Sequence, residues 1–140
     1  MKNGKLLTYK GAVVSNECDS NEHMNVMYYI QKFELAARNY AHEMGITKRL
    51  LEAHNLGFVV TQQLINYHNE AFEDEVLFVE SYLTRIGNKS FTLIHDMQSA
   101  AADKQIATME AIAVLLDKVT RKAVPIPDPV RKKMESMLPT

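Results

Sequence analysis

The sequence predicts an α+β domain in which one long helix packs against an antiparallel sheet of about five strands. Two observations support this prediction. Apolar residues in the first third of the chain recur at steps of three and four, which is the period of one helix face. After Gly57 the chain changes to four β-rich runs that are separated by turn-forming segments. Consecutive runs of this kind can pair antiparallel, with the helix on one face of their sheet.

The first predicted element is an extended stretch over residues 6–14. Residues 16–25 are mostly polar and have short side chains, which indicates a loop. The long helix is predicted over residues 26–44. Asn25 precedes it as an N-cap, and Gly45 follows as a natural stop. The apolar face of the helix is formed by Tyr29, Ile30, Phe33, Ala36, Ala37, Tyr40, Ala41 and Met44.

The second part of the chain contains the remaining strands. A short helix over residues 47–53 comes first. Pro125, Pro127 and Pro129 stop the last strand, and a brief amphipathic helix then runs through Met137. The four strands are predicted over residues 58–67, 76–86, 90–99 and 106–119.

Size and composition exclude several classes of protein. With 140 residues the chain fits one domain, 1–140, and its apolar share of 46% and charged share of 24% are those of a globular protein. A net charge of −1 does not provide the basic surface that nucleic acid requires. No run approaches the roughly 20 apolar residues of a membrane span. Cys18 is the only cysteine, so no intramolecular disulfide is possible and a cytoplasmic location is expected.

The predicted sheet has more apolar surface than one helix can cover. Several strands are apolar on both faces, as at Leu115 and Leu116. A sheet face left in water would form a large exposed apolar patch. We therefore expect a partner subunit to cover it, in a homodimer or a homotetramer.

The segment from Glu17 to Tyr40 suggests chemistry, because it places Asp19, His23 and Asn25 in a loop that leads directly into the long helix. The N-terminus of a helix presents unpaired N–H groups that can polarise a carbonyl oxygen. A carboxylate on the preceding loop can attack that carbonyl or activate a water beside it. This combination is suited to ester or thioester hydrolysis.

The loop and the order of elements resemble a known family. One strand, a long helix and four strands are similar to the hot-dog fold, and the loop resembles the 4-hydroxybenzoyl-CoA thioesterase family. In that family an Asp is followed at four by His, at six by Asn and at ten by Tyr, with an aromatic residue and Glu one turn later. The matching positions are Asp19, His23, Asn25, Tyr29, Phe33 and Glu34. Later segments also resemble the family, so nearly the whole chain is covered.

The resemblance implies hydrolysis of an acyl-CoA thioester to the free acid and coenzyme A. Asp19 would be the nucleophile or the general base, and backbone N–H groups near Asn25 and Val26 would polarise the thioester carbonyl. His23 and Asn25 would orient the substrate or a water. Coenzyme A would enter only as part of the substrate, and no cofactor is expected.

Three further positions are assigned to the substrate pocket or its surroundings. Tyr28 and Tyr29 would belong to the pocket wall or the core, and Thr61 would face the active loop if strands pair across a dimer. The chain departs from the family pattern at Glu22, where many relatives have Gly, and at Val26, where many have a second Asn. These departures bear on the preferred acyl group more than on the reaction.

Two other chemistries are not expected. The histidines show no metal-ligand spacing such as HExxH, so no metal site is predicted. Cys18 adjoins Asp19, but a lone small thiol near a strand end is more often a packing residue than a nucleophile.

Two alternatives remain open. A hot-dog hydratase or dehydratase would act on the same thioesters, but its Asp-x-Asn-Pro-x-His pattern is not matched, because Asp19 and Asn21 are followed by His23 without a Pro. A non-catalytic acyl-CoA-binding module would keep the fold and lose the reaction. The acyl group itself cannot be deduced from the sequence, because pocket shape depends on packing.

Overall fold

The structure is a computed structural model that describes residues 4–101 and 103–139. Over these residues the chain forms six strands and three α-helices. The strands are β1 (Leu6–Ala12), β2 (Leu56–Tyr67), β3 (Val76–Ile86), β4 (Ser90–Ser99), β5 (Gln105–Asp117) and β6 (Ala123–Val124). The helices are α1 (Val26–Glu43), α2 (Lys48–His54) and α3 (Asp128–Met137). A short 3-10 helix, Ser15–Glu17, lies between β1 and α1.

The residues that flank the long helix α1 set the points at which it begins and ends. The Asn25 side chain accepts a hydrogen bond from the Met27 N–H, which confirms the predicted N-cap. Gly45, with φ of +84°, follows the C-cap Met44 and ends the helix in a conformation that glycine tolerates best. In the described part of the chain, no helix is both long and apolar enough to cross a membrane.

All strand pairs in the sheet are antiparallel, in the order β1-β3-β4-β5-β2, with β6 added beside β5. The five predicted strands are confirmed, and β6 was not predicted. Sequence neighbours pair at β3–β4 and β4–β5 as expected, but β2 pairs with β5 and not with β3. The connection over residues 68–75 is too long for a tight hairpin, and it buries Ala71 beneath the active loop. It therefore carries the chain from β2, which forms one edge of the sheet, to β3, which lies next to β1 near the opposite edge.

The core lies between α1 and one face of the sheet. Its larger side chains form two clusters along the helix, one around Phe33 and the other around Tyr40, with α3 closing the second. Both of these aromatic residues are fully buried. The predicted apolar face of the helix is therefore the face that packs, except for Ile30, which is 37% exposed. Lys32 is an unexpected buried charge beside this face.

Among the described residues, no helix covers the opposite face of the sheet. Side chains that point away from α1 on the central strands, such as Ile94, Ile112 and Val114, are only half-buried. On the edge strand β2, Leu64, which is opposite Glu110 on β5, is about half exposed on this face, at 53%. One chain thus covers one sheet face, and the predicted cover for the other face would have to come from a partner.

Candidate active site

The loop that precedes α1 is folded back on itself as a small hairpin. Cys18 and Met24 form an antiparallel bridge. Inside it the Asp19 N–H donates to the His23 carbonyl at 3.1 Å, and the Glu22 N–H donates to the Asp19 carbonyl at 2.9 Å. Glu22 has φ of +65°, in the left-handed region that favours glycine, which explains why Gly suits this position in the family that the loop resembles. The hairpin sets Asp19 and His23 side by side.

The Asp19 carboxylate is held by two donors. Asn25 Nδ2 donates to Oδ2 at 3.0 Å, and the Asn21 N–H donates to Oδ1 at 2.9 Å. These two hydrogen bonds, of which that from Asn25 has the larger effect, lower the pKa of Asp19 below its ordinary value. The carboxylate is therefore ionised at neutral pH. Asn25 thus caps α1 with its oxygen and holds Asp19 with its nitrogen.

His23 lies between two carboxylates. Its Nδ1 is 3.1 Å from Glu70 Oε1, and its Nε2 is 3.7 Å from Asp19 Oδ1. The longer of these distances is an electrostatic contact and not a hydrogen bond. Glu70 therefore fixes the ring of His23, which leaves its other nitrogen turned toward Asp19.

A cleft of about 390 Å³ opens beside these groups. Tyr29 and Tyr67 form one wall, with ring centroids 5.0 Å apart in an edge-to-face contact. The lining consists of Asp19, His23, Met24, Asn25, Val26, Tyr29, Tyr67, His68, Asn69 and Glu70. The cleft combines a carboxylate, a histidine and an aromatic wall, which suits a substrate with both a polar reacting group and an apolar part.

In the first turn of α1, one backbone N–H has no hydrogen-bond partner among the described residues. The Asn25 N–H donates to the Glu17 carbonyl at 2.8 Å, and the Met27 N–H donates to Asn25 Oδ1 at 3.1 Å. None of the hydrogen bonds between described residues uses the Val26 N–H, and Val26 is 53% exposed at the edge of the cleft. Of the two backbone donors that the sequence suggested, only that of Val26 is therefore unengaged.

The structure brings together most, but not all, of the residues predicted for the site. Asp19, His23, Asn25, Val26 and Tyr29 line one cleft. Two do not: Tyr28 packs half-buried against the neighbouring core, and Thr61 lies on β2, where its hydroxyl donates to the Ile112 carbonyl at 3.2 Å. Consecutive residues of a helix point about 100° apart, so Tyr28 turns away where Tyr29 faces the cleft.

The segment that follows β2 was missed by the sequence analysis. It contributes His68, Asn69 and Glu70 to the cleft, next to Tyr67 at the end of β2, and the Met24 N–H donates to the Ala71 carbonyl of this segment at 2.8 Å. A run of polar residues directly after a strand was the available signal, but only the fold shows that this run lies against the loop.

Cys18 is not prepared for nucleophilic attack. Burial, and after it the nearby carboxylates of Glu73, Asp19 and Glu17, raise the pKa of its thiol above the ordinary value. The thiol is therefore protonated at neutral pH, whereas the thiolate is the nucleophilic form.

One long helix packed against an antiparallel sheet, with a cleft at the N-terminus of that helix, is the architecture of the hot-dog thioesterases. Residues 13–134 match the family model described as the thioesterase-like superfamily. The chain belongs to this superfamily.

Individual relatives agree with this assignment. The chain is 28% identical over 120 residues to the long-chain acyl-CoA thioesterase FadM of Escherichia coli, covering 86% of this chain and 90% of the relative. It is also similar in fold to a 1,4-dihydroxy-2-naphthoyl-CoA thioesterase from Synechocystis, with a TM-score of 0.81, 14% identity and coverage of 93% and 95% of the two chains. A Staphylococcus aureus protein solved in complex with CoA gives a TM-score of 0.87, 18% identity and coverage of 97% and 88%. The predicted hot-dog fold and the predicted thioesterase class are both confirmed.

Proposed function

We propose that the chain hydrolyses acyl-CoA thioesters to the free acid and coenzyme A, with Asp19 as nucleophile or general base. The observation that supports this most is the placement of an ionised carboxylate, held by Asn25, in the same cleft as the free N–H of Val26. A base or nucleophile and an electrophilic donor are the two groups that thioester hydrolysis requires.

In the proposed reaction the thioester carbonyl oxygen accepts a hydrogen bond from the Val26 N–H. The positive end of the α1 dipole stabilises the negative charge that develops on this oxygen. Asp19 either takes a proton from a water that attacks the carbonyl carbon, or attacks that carbon itself to form an acyl anhydride on Asp19 that a water then hydrolyses to the free acid. In both cases the bond to sulfur breaks and coenzyme A leaves as its thiolate. The thiolate of coenzyme A is a good leaving group, so this chemistry calls for no metal or other cofactor.

The remaining polar residues of the cleft orient the reactants. His23, fixed by Glu70, is placed to direct a water or the substrate toward Asp19. Asn25 keeps the carboxylate beside the helix end. Their contribution is one of position, and orientation of this kind can supply several powers of ten in rate.

The acyl group is best identified by direct measurement. The names of the relatives include both long-chain and aromatic acyl groups. A panel of acyl-CoA esters covering short and long aliphatic chains and aromatic acids should therefore be screened, with release of free thiol as the readout. We expect at least one ester to be turned over. Tight binding of esters without thiol release would support the non-catalytic module, and hydration of an enoyl-CoA would support the hydratase.

We also propose that the chain functions as a homodimer or a homotetramer. β2 is a 12-residue edge strand that pairs on one side only, and it carries the exposed side chains of Leu64 and Tyr67. Long exposed edges with apolar residues favour pairing with another chain. A second copy at this edge would also bring residues such as Thr61 toward a neighbouring cleft. The cytoplasmic location stays a prediction.

Replacing Leu64 with Lys tests this association. Leu64 is 53% exposed and faces Glu110 on β5, so a Lys can pair with that carboxylate and leave the single chain folded. We expect light scattering to show an oligomer for the wild type and a shift toward monomer for Leu64→Lys. The matched control is Val119→Lys, which changes an apolar residue that is 78% exposed beyond the end of β5. A wild-type chain that is monomeric at micromolar concentration would contradict the proposal.

A further inference from the structure

Lys32 is a charged residue in the apolar core. It lies on α1 one position before the buried Phe33, and only 2% of its surface is exposed. Its Nζ donates to Glu17 Oε2 at 2.9 Å and lies 5.5 Å from the centre of the Tyr9 ring. Glu17 is itself mostly buried, with 12% of its side chain exposed. The two residues form an ion pair that joins the helix to the start of the active loop.

Glu17 connects this pair to the site through its own backbone. Its second carboxylate oxygen, Oε1, accepts a hydrogen bond from the Val14 N–H at 3.1 Å. Its carbonyl accepts the Asn25 N–H at 2.8 Å, and Asn25 Nδ2 in turn donates to Asp19 at 3.0 Å. A continuous set of contacts therefore runs from Lys32 through Glu17 and Asn25 to Asp19.

Stability alone is a weak reason for such a pair. Removing two charges from water is costly, and a buried ion pair often contributes no more to folding than apolar side chains of the same size. The pair instead contributes orientation, because the Lys32 ammonium fixes the position of the Glu17 carboxylate relative to α1. The Glu17 carbonyl is thereby fixed against the Asn25 N–H at the helix end.

We infer that Lys32 and Glu17 are positioning residues for the hydrolysis, which hold the active loop so that Asp19 stays aligned with the N-terminus of α1. The inference rests on the proposed role of Asp19. Neither residue touches the substrate cleft, so both act through Asn25.

The test removes the charge of the buried pair while keeping the size of the side chains. In Lys32→Met an unbranched side chain fills the space of the lysine stem without its charge. With the best ester of the panel, we expect kcat to fall at least about tenfold, because misplacement of a catalytic group by about 1 Å is costly. KM should change less than about threefold, since the residues that line the cleft are unchanged. Lys32→Arg, which restores a cation beside Glu17, should recover part of the lost kcat, and a purely space-filling role would not predict this recovery.

The double variant Lys32→Met/Glu17→Gln keeps the inference testable if a single variant fails to fold, because it leaves no unpaired buried charge. Its kcat should fall by no more than in the single variants, since each change breaks the same contact. A folded double variant with wild-type kcat would overturn the inference. So would a series in which no variant folds, because the pair would then serve the core alone.

Two controls complete the experiment. Lys48→Met removes a lysine whose pairing with Glu52, at 3.8 Å, lies on the surface, and it should leave kcat unchanged. Asp19→Asn is measured in parallel, and Lys32→Met added to it should cause no further fall in kcat. If Asp19→Asn stays active, the proposed role of Asp19 fails. If it is inactive while Lys32→Met keeps full kcat, only the positioning inference fails.

Discussion

Asp19→Asn is expected to lower kcat at least about a hundredfold, while the chain remains folded and still binds acyl-CoA. A loss of this size is typical when a positioned base or nucleophile is removed. Asn has nearly the same size and can keep one of the two hydrogen bonds that Asp19 accepts from Asn21 and Asn25. What is lost is the negative charge and the basic oxygen. The Val26 N–H would still polarise the carbonyl, so a residual rate should remain. Steady-state kinetics on the best ester of the panel should show the change in kcat, with KM altered little.

The matched control for this variant is Asp74→Asn. Asp74 lies outside the cleft with φ of +71°, a backbone conformation that Asn tolerates well. The same chemical change at this position should leave kcat near that of the wild type. If Asp19→Asn retained comparable turnover, Asp19 would not be the catalytic carboxylate, and other acids such as Glu34 would have to be tested.

The elements of the fold could be predicted because local signals were strong. Asn25 and Gly45 marked the ends of the long helix, and the structure places its last residue, Glu43, one position before the predicted end. Two strands, Val76–Ile86 and Ser90–Ser99, have the predicted bounds. These boundaries are set by capping and turn residues that lie next to them in the sequence.

The arrangement of these elements was harder to predict because it depends on contacts between distant residues. The position of β2 at the sheet edge follows from its pairing with β5, about fifty residues later in the chain. The same limit applies to the site. Asp19, His23 and Asn25 belong to one loop and could be found by their spacing, whereas Glu70 reaches His23 only through the fold. The burial of Lys32 could not be predicted either, because nothing near it in the sequence identifies Glu17 as its partner.

His95 is a second buried polar residue that the sequence did not reveal. It is fully buried on β4, with Nδ1 at 2.6 Å from the Ser81 hydroxyl, which lies 2.8 Å from the Thr8 hydroxyl. Its Nε2 has no hydrogen-bond partner among the described residues. A protonated ring would place an N–H at that nitrogen with nothing to accept it. Burial accordingly lowers the pKa of His95 to about 4, so the ring is neutral in the folded chain.

This histidine should make folding sensitive to mild acid. In the unfolded chain its pKa is about 6.5, so below that pH the unfolded state binds a proton that the folded state does not, and stability falls as pH falls toward about 4. The loss should be about 2 kcal/mol between pH 7 and pH 5, above the range in which ordinary carboxyl groups titrate. Urea unfolding at both pH values and one protein concentration measures it. His95→Asn can still bond to Ser81 but does not titrate, so its free energy of unfolding, although lower at pH 7, should change much less between the two pH values. An equal loss in both proteins would show that other groups are responsible and that His95 is not the acid-sensitive residue of the core.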